Sequence, residues 1–309
     1  MTIPCLLLAA LLVQSAPANL AKDPAAVAAI KDAQNEPRPF LRSLLVNAYT
    51  AMARTEESPQ SARVPSVKGK QRARTLAERA VVVAPDSARA QMVFGDAFLD
   101  VNPTLAEAAY REAVRLDPKS ASAHIKLAEA VRTQGRNDEA ISELKEALRI
   151  NPSSAPAHTD LGYLLLSQDT DGAVAELRAA LKADPDYSEA HNYMAVTYAR
   201  AGKFPEAVKE FEEMVRIDPD SALGYYNLGL ALADMEEDAA SAEALRNVVR
   251  VNPNHYNARY DLGELFRLEG KHDEAVKQFK EYLRLAPETP QTQRNFQRAR
   301  QFIQQHENN

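Results

Sequence analysis

The chain has one cysteine, no tryptophan and ten glycines in 309 residues. A single Cys, Cys5, closes no intrachain disulfide and builds no thiolate zinc site, which excludes a disulfide scaffold and a zinc ribbon. Basic residues are outnumbered, 37 against 43, and a formal charge of −6 argues against a nucleic-acid binder, whose affinity depends on Lys and Arg neutralising phosphates. No apolar run approaches the roughly 20 residues of a membrane-spanning helix, so no stable span is expected in the mature chain. With 45% hydrophobic and 26% charged residues, the bulk composition is that of a folded soluble protein.

The longest apolar run is Cys5 to Val13, inside an N-terminus without a charged side chain from Met1 to Ala21. It has the length of a secretory signal core, and Ala16-Pro17-Ala18 supplies a small-x-small cleavage pattern. A Lys or Arg ahead of the run is missing. Residues 1–18 are read as a signal peptide, making the protein periplasmic or secreted; an uncleaved anchor or a different start codon are the alternatives. Cleavage would remove Cys5 and leave a thiol-free chain, which suits an oxidising compartment.

Proline, by contrast, is regular. Pro85, Pro118, Pro152, Pro185, Pro219, Pro253 and Pro287 follow one another at 33, 34, 33, 34, 34 and 34 residues. Twelve residues before each stands Ala73, Ala106, Ala140, Ala173, Ala207, Ser241 or Ala275; eight before, Ala77, Tyr110, Leu144, Leu177, Phe211, Leu245 or Phe279. Small or apolar side chains also recur five before. Separations of four and three place these residues on one face of an amphipathic helix. Earlier in each unit Gly95, Ala128, Gly162, Ala195, Gly229 and Gly263 mark close packing on a first helix. Gly135, Gly202 and Gly270 punctuate the turn between helices, and the 33-residue units shorten that turn at Asn102-Pro103 and Asp169-Thr170. The periodic proline lacks an N–H and disfavours helix before it, so it stops the second helix. Ser87, Ser120, Ser154 and Ser221 are placed to cap the next one.

A repeat of this length, helical hairpin and small/large pattern resembles the tetratricopeptide repeat family. The resemblance implies an all-α fold, a right-handed superhelical solenoid of helix-turn-helix repeats. Six repeats span 88–287, residues 40–85 form a degenerate repeat with a polar insertion at 54–68, residues 19–39 a lead-in, and 288–309 a capping helix and tail. Phe296, Ala299 and Phe302-Ile303 give that cap one narrow apolar stripe, which an open-ended solenoid needs to cover its last hydrophobic face. In place of the family's large aromatic near the start of the first helix stand His124, His158, His191, Tyr225 and Arg259.

The resemblance also implies that first helices line a concave groove. On it the offsets place Tyr163, Asn192, Tyr226 and Tyr260 with the charged Glu129, Arg132, Arg200, Glu264 and Arg267. Tyrosines at such positions either offer platforms to an extended peptide or pack against the next repeat. Some family members hold the carboxylate tail of a chaperone with Lys and Asn; the matching pairs here, Ile125/Glu129, Thr159/Tyr163 and Asn192/Val196, do not repeat that clamp. His124, His158 and His191 lie one repeat apart, too far to share a zinc held at about 2.0–2.1 Å, and are expected at the seam between repeats. Asp218 and Asp220 open like a calcium loop, but Ala222 and Leu223 occupy its ligand and glycine places. No phosphate loop, nucleophile elbow or metalloprotease helix occurs. The expectation is a non-catalytic scaffold of a bacterial-type cell envelope, without cofactor or metal, binding a protein or peptide partner. A substrate-binding or regulatory subunit of an envelope enzyme, and a self-associating structural protein, are the alternatives.

Overall fold

The computed structural model describes residues 67–307. The signal peptide expected at 1–18 with Cys5, the expected lead-in at 19–39, the start of the expected degenerate repeat and most of the expected 54–68 insertion lie outside the described residues. One correction falls at that insertion's end: Val67 and Lys68 belong to the first described helix, not to a polar loop.

Fourteen α-helices, and no strand, occur among the described residues. In the first of two compact units, which ends at Pro152, they are α1 (Val67–Val83), α2 (Ala88–Phe98), α3 (Pro103–Leu116), α4 (Ala121–Thr133) and α5 (Asn137–Ile150). The second unit, from Ser153, contains α6 (Ala155–Leu165), α7 (Thr170–Ala183), α8 (Ser188–Arg200), α9 (Phe204–Ile217), α10 (Ala222–Asp234), α11 (Asp238–Val251), α12 (Tyr256–Leu268), α13 (His272–Leu285) and α14 (Gln293–Glu307). In each unit successive helices pair as hairpins, and hairpins stack on their neighbours.

The stripe on the second helices is the core. Ala106, Tyr110 and Ala113 are wholly buried, as are Ala173, Leu177 and Ala180, and Ala275, Phe279 and Tyr282. The small residue of each first helix faces that stripe. A Cβ on Gly263 would come within 2.6 Å of the Phe279 ring, and one on Gly162 within 2.8 Å of Leu177. In these two hairpins the missing Cβ leaves the room that the ring or the branched side chain occupies. In the second unit α14 closes the stack: Phe296, Ala299 and Phe302 are buried on Phe279 and Tyr282, with Tyr282 and Phe296 ring centroids 5.3 Å apart.

Local chemistry fixes the helix ends. Ser87, Ser120, Ser154 and Ser221 each accept the N–H three residues on, at 3.3, 3.2, 3.4 and 3.1 Å, and Asn102 and Asp169 do the same in the shortened turns. Before the prolines, Asp117, Asp184, Asp218 and Asn252 are extended C-caps whose side chains accept the N–H two residues later. The acids at Asp218 and Asp220 thus belong to a turn that recurs through the chain. Between the helices of a hairpin, Gly135, Gly202 and Gly270 have φ of 80°, 71° and 72°. The residue after each donates its N–H back to Val131, Tyr198 or Phe266, closing the helix end. Glu236 takes the same place between α10 and α11 with φ 61° and no glycine.

Candidate partner-binding face

The position where the family's aromatic is replaced has a structural role. His124, His158 and His191 point their Nδ1 at Glu143, Glu176 and Glu210 of the second helix in their own repeat, at 2.7, 2.6 and 2.7 Å. Each of these pairs is internal to one hairpin. The glutamate lies 18 or 19 residues ahead, on the opposing helix, and periodicity alone does not pair two polar side chains across a turn. The same position also reaches the preceding helix stop. His191 Nε2 lies 2.9 Å from the Pro185 carbonyl, Gln91 donates to that of Pro85 at 3.0 Å, and Arg259 Nε to that of Pro253 at 3.0 Å. Between two acceptors, the His191 ring satisfies both only as an imidazolium. The Glu210 carboxylate outweighs burial, and with the Pro185 carbonyl it raises the pKa above the ordinary histidine value.

The other side of the first helices carries the predicted binding residues. In the first unit, Glu129 of α4 accepts from Lys126 at 3.1 Å, and Lys126 also pairs with Asp96 at 3.4 Å. Burial works against the Lys126 charge, but the two carboxylates prevail and hold its pKa above the usual lysine value. Arg132, one turn beyond Glu129, is half-buried.

In the second unit a row of contacts joins four first helices. Tyr163 of α6 is 39% exposed, its ring 4.9 Å from that of Tyr193 on α8. Asn227 of α10 donates to Asn192 of α8 at 3.2 Å. Tyr226 of α10 donates its hydroxyl to Asp261 of α12 at 2.9 Å, and its ring lies 4.7 Å from His255, whose Nδ1 caps α12. Arg267 and Glu264, one turn apart on α12, form an ion pair at 3.0 Å, and Arg200 is exposed at the end of α8.

Tyr260 departs from this pattern. It is 8% exposed, with its ring 5.7 Å from Phe279 and 5.0 Å from Tyr282, so it packs inward and offers no platform. Ala113, Ala147, Ala180, Met214 and Val248 at the matching position of the other repeats supply no such aromatic partner; here Tyr282 draws it in. Asp261, the next residue, takes its place on the surface. Burial, offset only in part by the Tyr226 hydroxyl, pushes the Asp261 carboxyl up to about 6, with the nearby charge of Glu264 adding to the effect. Burial, then the Asp261 charge, holds the Tyr226 phenol well above its usual pKa. The offset that selects Tyr193 and Asn227, two before the small residue, reaches Asp261 as well, but nothing in the sequence joins it to a tyrosine 35 residues earlier.

Among the described residues no three His, Cys, Asp or Glu side chains are grouped to hold a metal ion, and no helix is long and apolar enough to cross a membrane.

Stacked helical hairpins with a polar and aromatic row on the first helices define an α-helical repeat protein of the binding type. Two family profiles, both described as tetratricopeptide repeat, match residues 101–155 with 226–290 and residues 164–228, together more than half of the chain. The chain belongs to the tetratricopeptide repeat family, whose members are protein–protein interaction scaffolds and are generally non-catalytic. No curated protein matches the sequence. Among solved structures, yeast Tom70 is similar with a TM-score of 0.62 at 16% identity, over 89% of this chain and 57% of that one. The Cut9-Hcn1 hetero-tetramer of the APC/C gives 0.61 at 16% identity, over 84% of this chain and 55% of that one. The chain thus spans a little over half the length of these two, and the likeness is one of fold.

Proposed function

We propose that the protein binds an extended segment of a partner protein along the first helices of its second unit. The observation that carries this reading is the unbroken row from Tyr163 and Tyr193 through Asn192 and Asn227 to Tyr226 and Asp261, which runs across the first helices of four successive hairpins. After their mutual bond Asn192 and Asn227 retain amide donors and carbonyl lone pairs, and an extended backbone offers both kinds of group. Tyr163 and Tyr193 supply large, stiff apolar area with a polar tip, the composition that dominates protein–protein contacts. Nothing in this row supplies a nucleophile with its base, so the role is capture and presentation.

The proposal includes export to the cell envelope, supported by the Cys5–Val13 run and the Ala16-Pro17-Ala18 pattern. N-terminal sequencing of the native protein tests it: a start after Ala18 is expected, and one at Met1 would exclude cleavage.

For partner binding, Tyr163→Ala with Tyr193→Ala removes the most exposed contact area and leaves the buried stripes intact. Affinity capture from envelope extracts should lose the partner with the doubly substituted chain while helical content stays unchanged. Capture of the same protein by both chains would sink this reading. Tyr260 is left out of the test, because truncating a buried ring would confound binding with folding.

A further inference from the structure

The row of the second unit alternates ring pairs with amides. Tyr163 of α6 and Tyr193 of α8 lie with centroids 4.9 Å apart and planes tilted by 40°, and Tyr226 and His255 repeat the arrangement at 4.7 Å and 46°. The bond from Asn227 to Asn192, at 3.2 Å, links α10 to α8 between the two pairs. Tyr163 is 39% exposed and the other five side chains are half-buried, so all six reach solvent. Burial holds the His255 imidazole below its usual pKa, which leaves the second ring pair uncharged at neutral pH. The one charged side chain of the row, Asp261, accepts the Tyr226 proton at 2.9 Å.

Such a row complements a segment with flat apolar rings, accepting carbonyls and no charge of its own. Asn192 Oδ1 takes a proton from Asn227, while both Asn192 N–H groups and the second N–H of Asn227 remain to donate. Proline meets these terms: its ring packs on aromatic faces, it has no N–H to satisfy, and its carbonyls are unpaired in a polyproline II helix. The pitch fits as well. A polyproline II helix advances about 9.3 Å in each three-residue turn, and packed helices stand about 8–10 Å apart, so one edge of the segment meets successive first helices in phase. Same-side residues of a β-strand recur at about 6.6 Å and fall out of phase with that spacing.

We propose that the row binds an uncharged, proline-rich segment in the polyproline II conformation; this rests on reading the face as a protein-binding one. Prolyl rings cover the Tyr163–Tyr193 pair, the carbonyls that follow accept from Asn192 and Asn227, and a further proline lies against Tyr226 and His255. Asp261 is a positioning residue: by holding the Tyr226 hydroxyl it fixes that ring and takes up its proton. The segment is stiff before it binds, so ordering it costs little.

The test needs no identified partner. The probe is acetyl-nonaproline amide, about 28 Å long as a polyproline II helix. Its mirror image built from D-proline has the same composition and the opposite hand, and a threonine–serine nonamer serves as a β-preferring control. NMR of the full chain, labelled on tyrosine rings and asparagine amides, reads binding. The L-peptide should shift the Tyr163, Tyr193, Asn192 and Asn227 signals saturably, and both comparators should bind at least about tenfold more weakly. Asn192→Asp keeps the acceptor for Asn227 and removes two donors; it should weaken the L-peptide about tenfold, as should Tyr163→Ala with Tyr193→Ala. Val101→Ala, at an exposed apolar site of the first unit, should leave binding unchanged. No saturable shift, equal binding of the two mirror images or of the threonine–serine peptide, or full affinity in Asn192→Asp would each overturn the assignment. The mirror-image comparison needs no substitution and decides even where a variant loses its fold. Such a failure would leave partner capture by Tyr163 and Tyr193 standing, because that is read in a separate experiment.

Discussion

His191 and Glu210 face each other across the α8–α9 hairpin at 2.7 Å, Nδ1 to Oε2, with the back of the ring 2.9 Å from the Pro185 carbonyl. The pair ties the two helices of one repeat to the turn that precedes them. Because Glu210, ahead of the Pro185 carbonyl, raises the histidine pKa in the folded state, the imidazolium favours folding. That contribution is complete below the unfolded value of about 6.5 and is lost as pH rises through the raised folded value. Urea unfolding should therefore give a midpoint that declines on going from pH 6 into the alkaline side of that window. His191→Gln should flatten this decline; the effect should stay under about 1 kcal/mol, since the pair is partly solvated. An unchanged decline in the variant would assign it to other groups.

Glu236 occupies a left-handed turn position that three other hairpins give to glycine. The strain of a side chain there is about 1–2 kcal/mol, partly offset by the greater freedom glycine has when unfolded. Glu236→Gly is expected to stabilise the protein by about 0.5–1 kcal/mol. Gly202→Ala should destabilise it by about 1 kcal/mol, although a Cβ there would meet open space, because the backbone angle alone opposes it. Thermal unfolding of both variants should show shifts of opposite sign.

Gly263 and Phe279 form a matched pair, with room for the ring only because the glycine has no Cβ. Gly263→Ala should cost about 1–3 kcal/mol by overpacking. Phe279→Leu alone leaves a cavity, but combined with Gly263→Ala it should recover part of the loss, since in the α4–α5 hairpin Ala128 and Leu144 hold the equivalent positions and both are buried. A double-mutant cycle in urea measures this coupling; strict additivity would contradict the matched-pair account.

Asp261 opposes folding at neutral pH. Its carboxyl is raised from about 3.8 to about 6, so the protonated form suits the folded state. Stability from this group is complete at low pH and falls as pH climbs from about 3.8 through about 6. Asp261→Asn should raise stability at pH 7.5 by about 1–2 kcal/mol, a value discounted for partial solvation, and should leave it nearly unchanged at pH 4.

The repeat was legible without coordinates because helix stops, caps and buried stripes are local. Pro118 and its counterparts act through their own missing N–H, Ser120 caps its own helix, and a 3.6-residue period places Ala106, Tyr110 and Ala113 on one face whatever lies opposite. The proposed binding face was legible only as a set of offsets. Tyr163 and Asn192 stand there, but the same rule offered Tyr260, which the Tyr282 ring draws into the core.

What the sequence determined by itself is therefore the class of fold and the length of each unit, since both follow from backbone chemistry repeated in phase. What only the tertiary structure decided is which polar side chains meet: His191 with Glu210 across a turn, Asn192 with Asn227 and Tyr226 with Asp261 across neighbouring repeats. Those pairings depend on how far one helix is rotated and shifted against the next. Packing of the buried stripe sets that geometry, and the periodicity of a single strand of letters does not contain it.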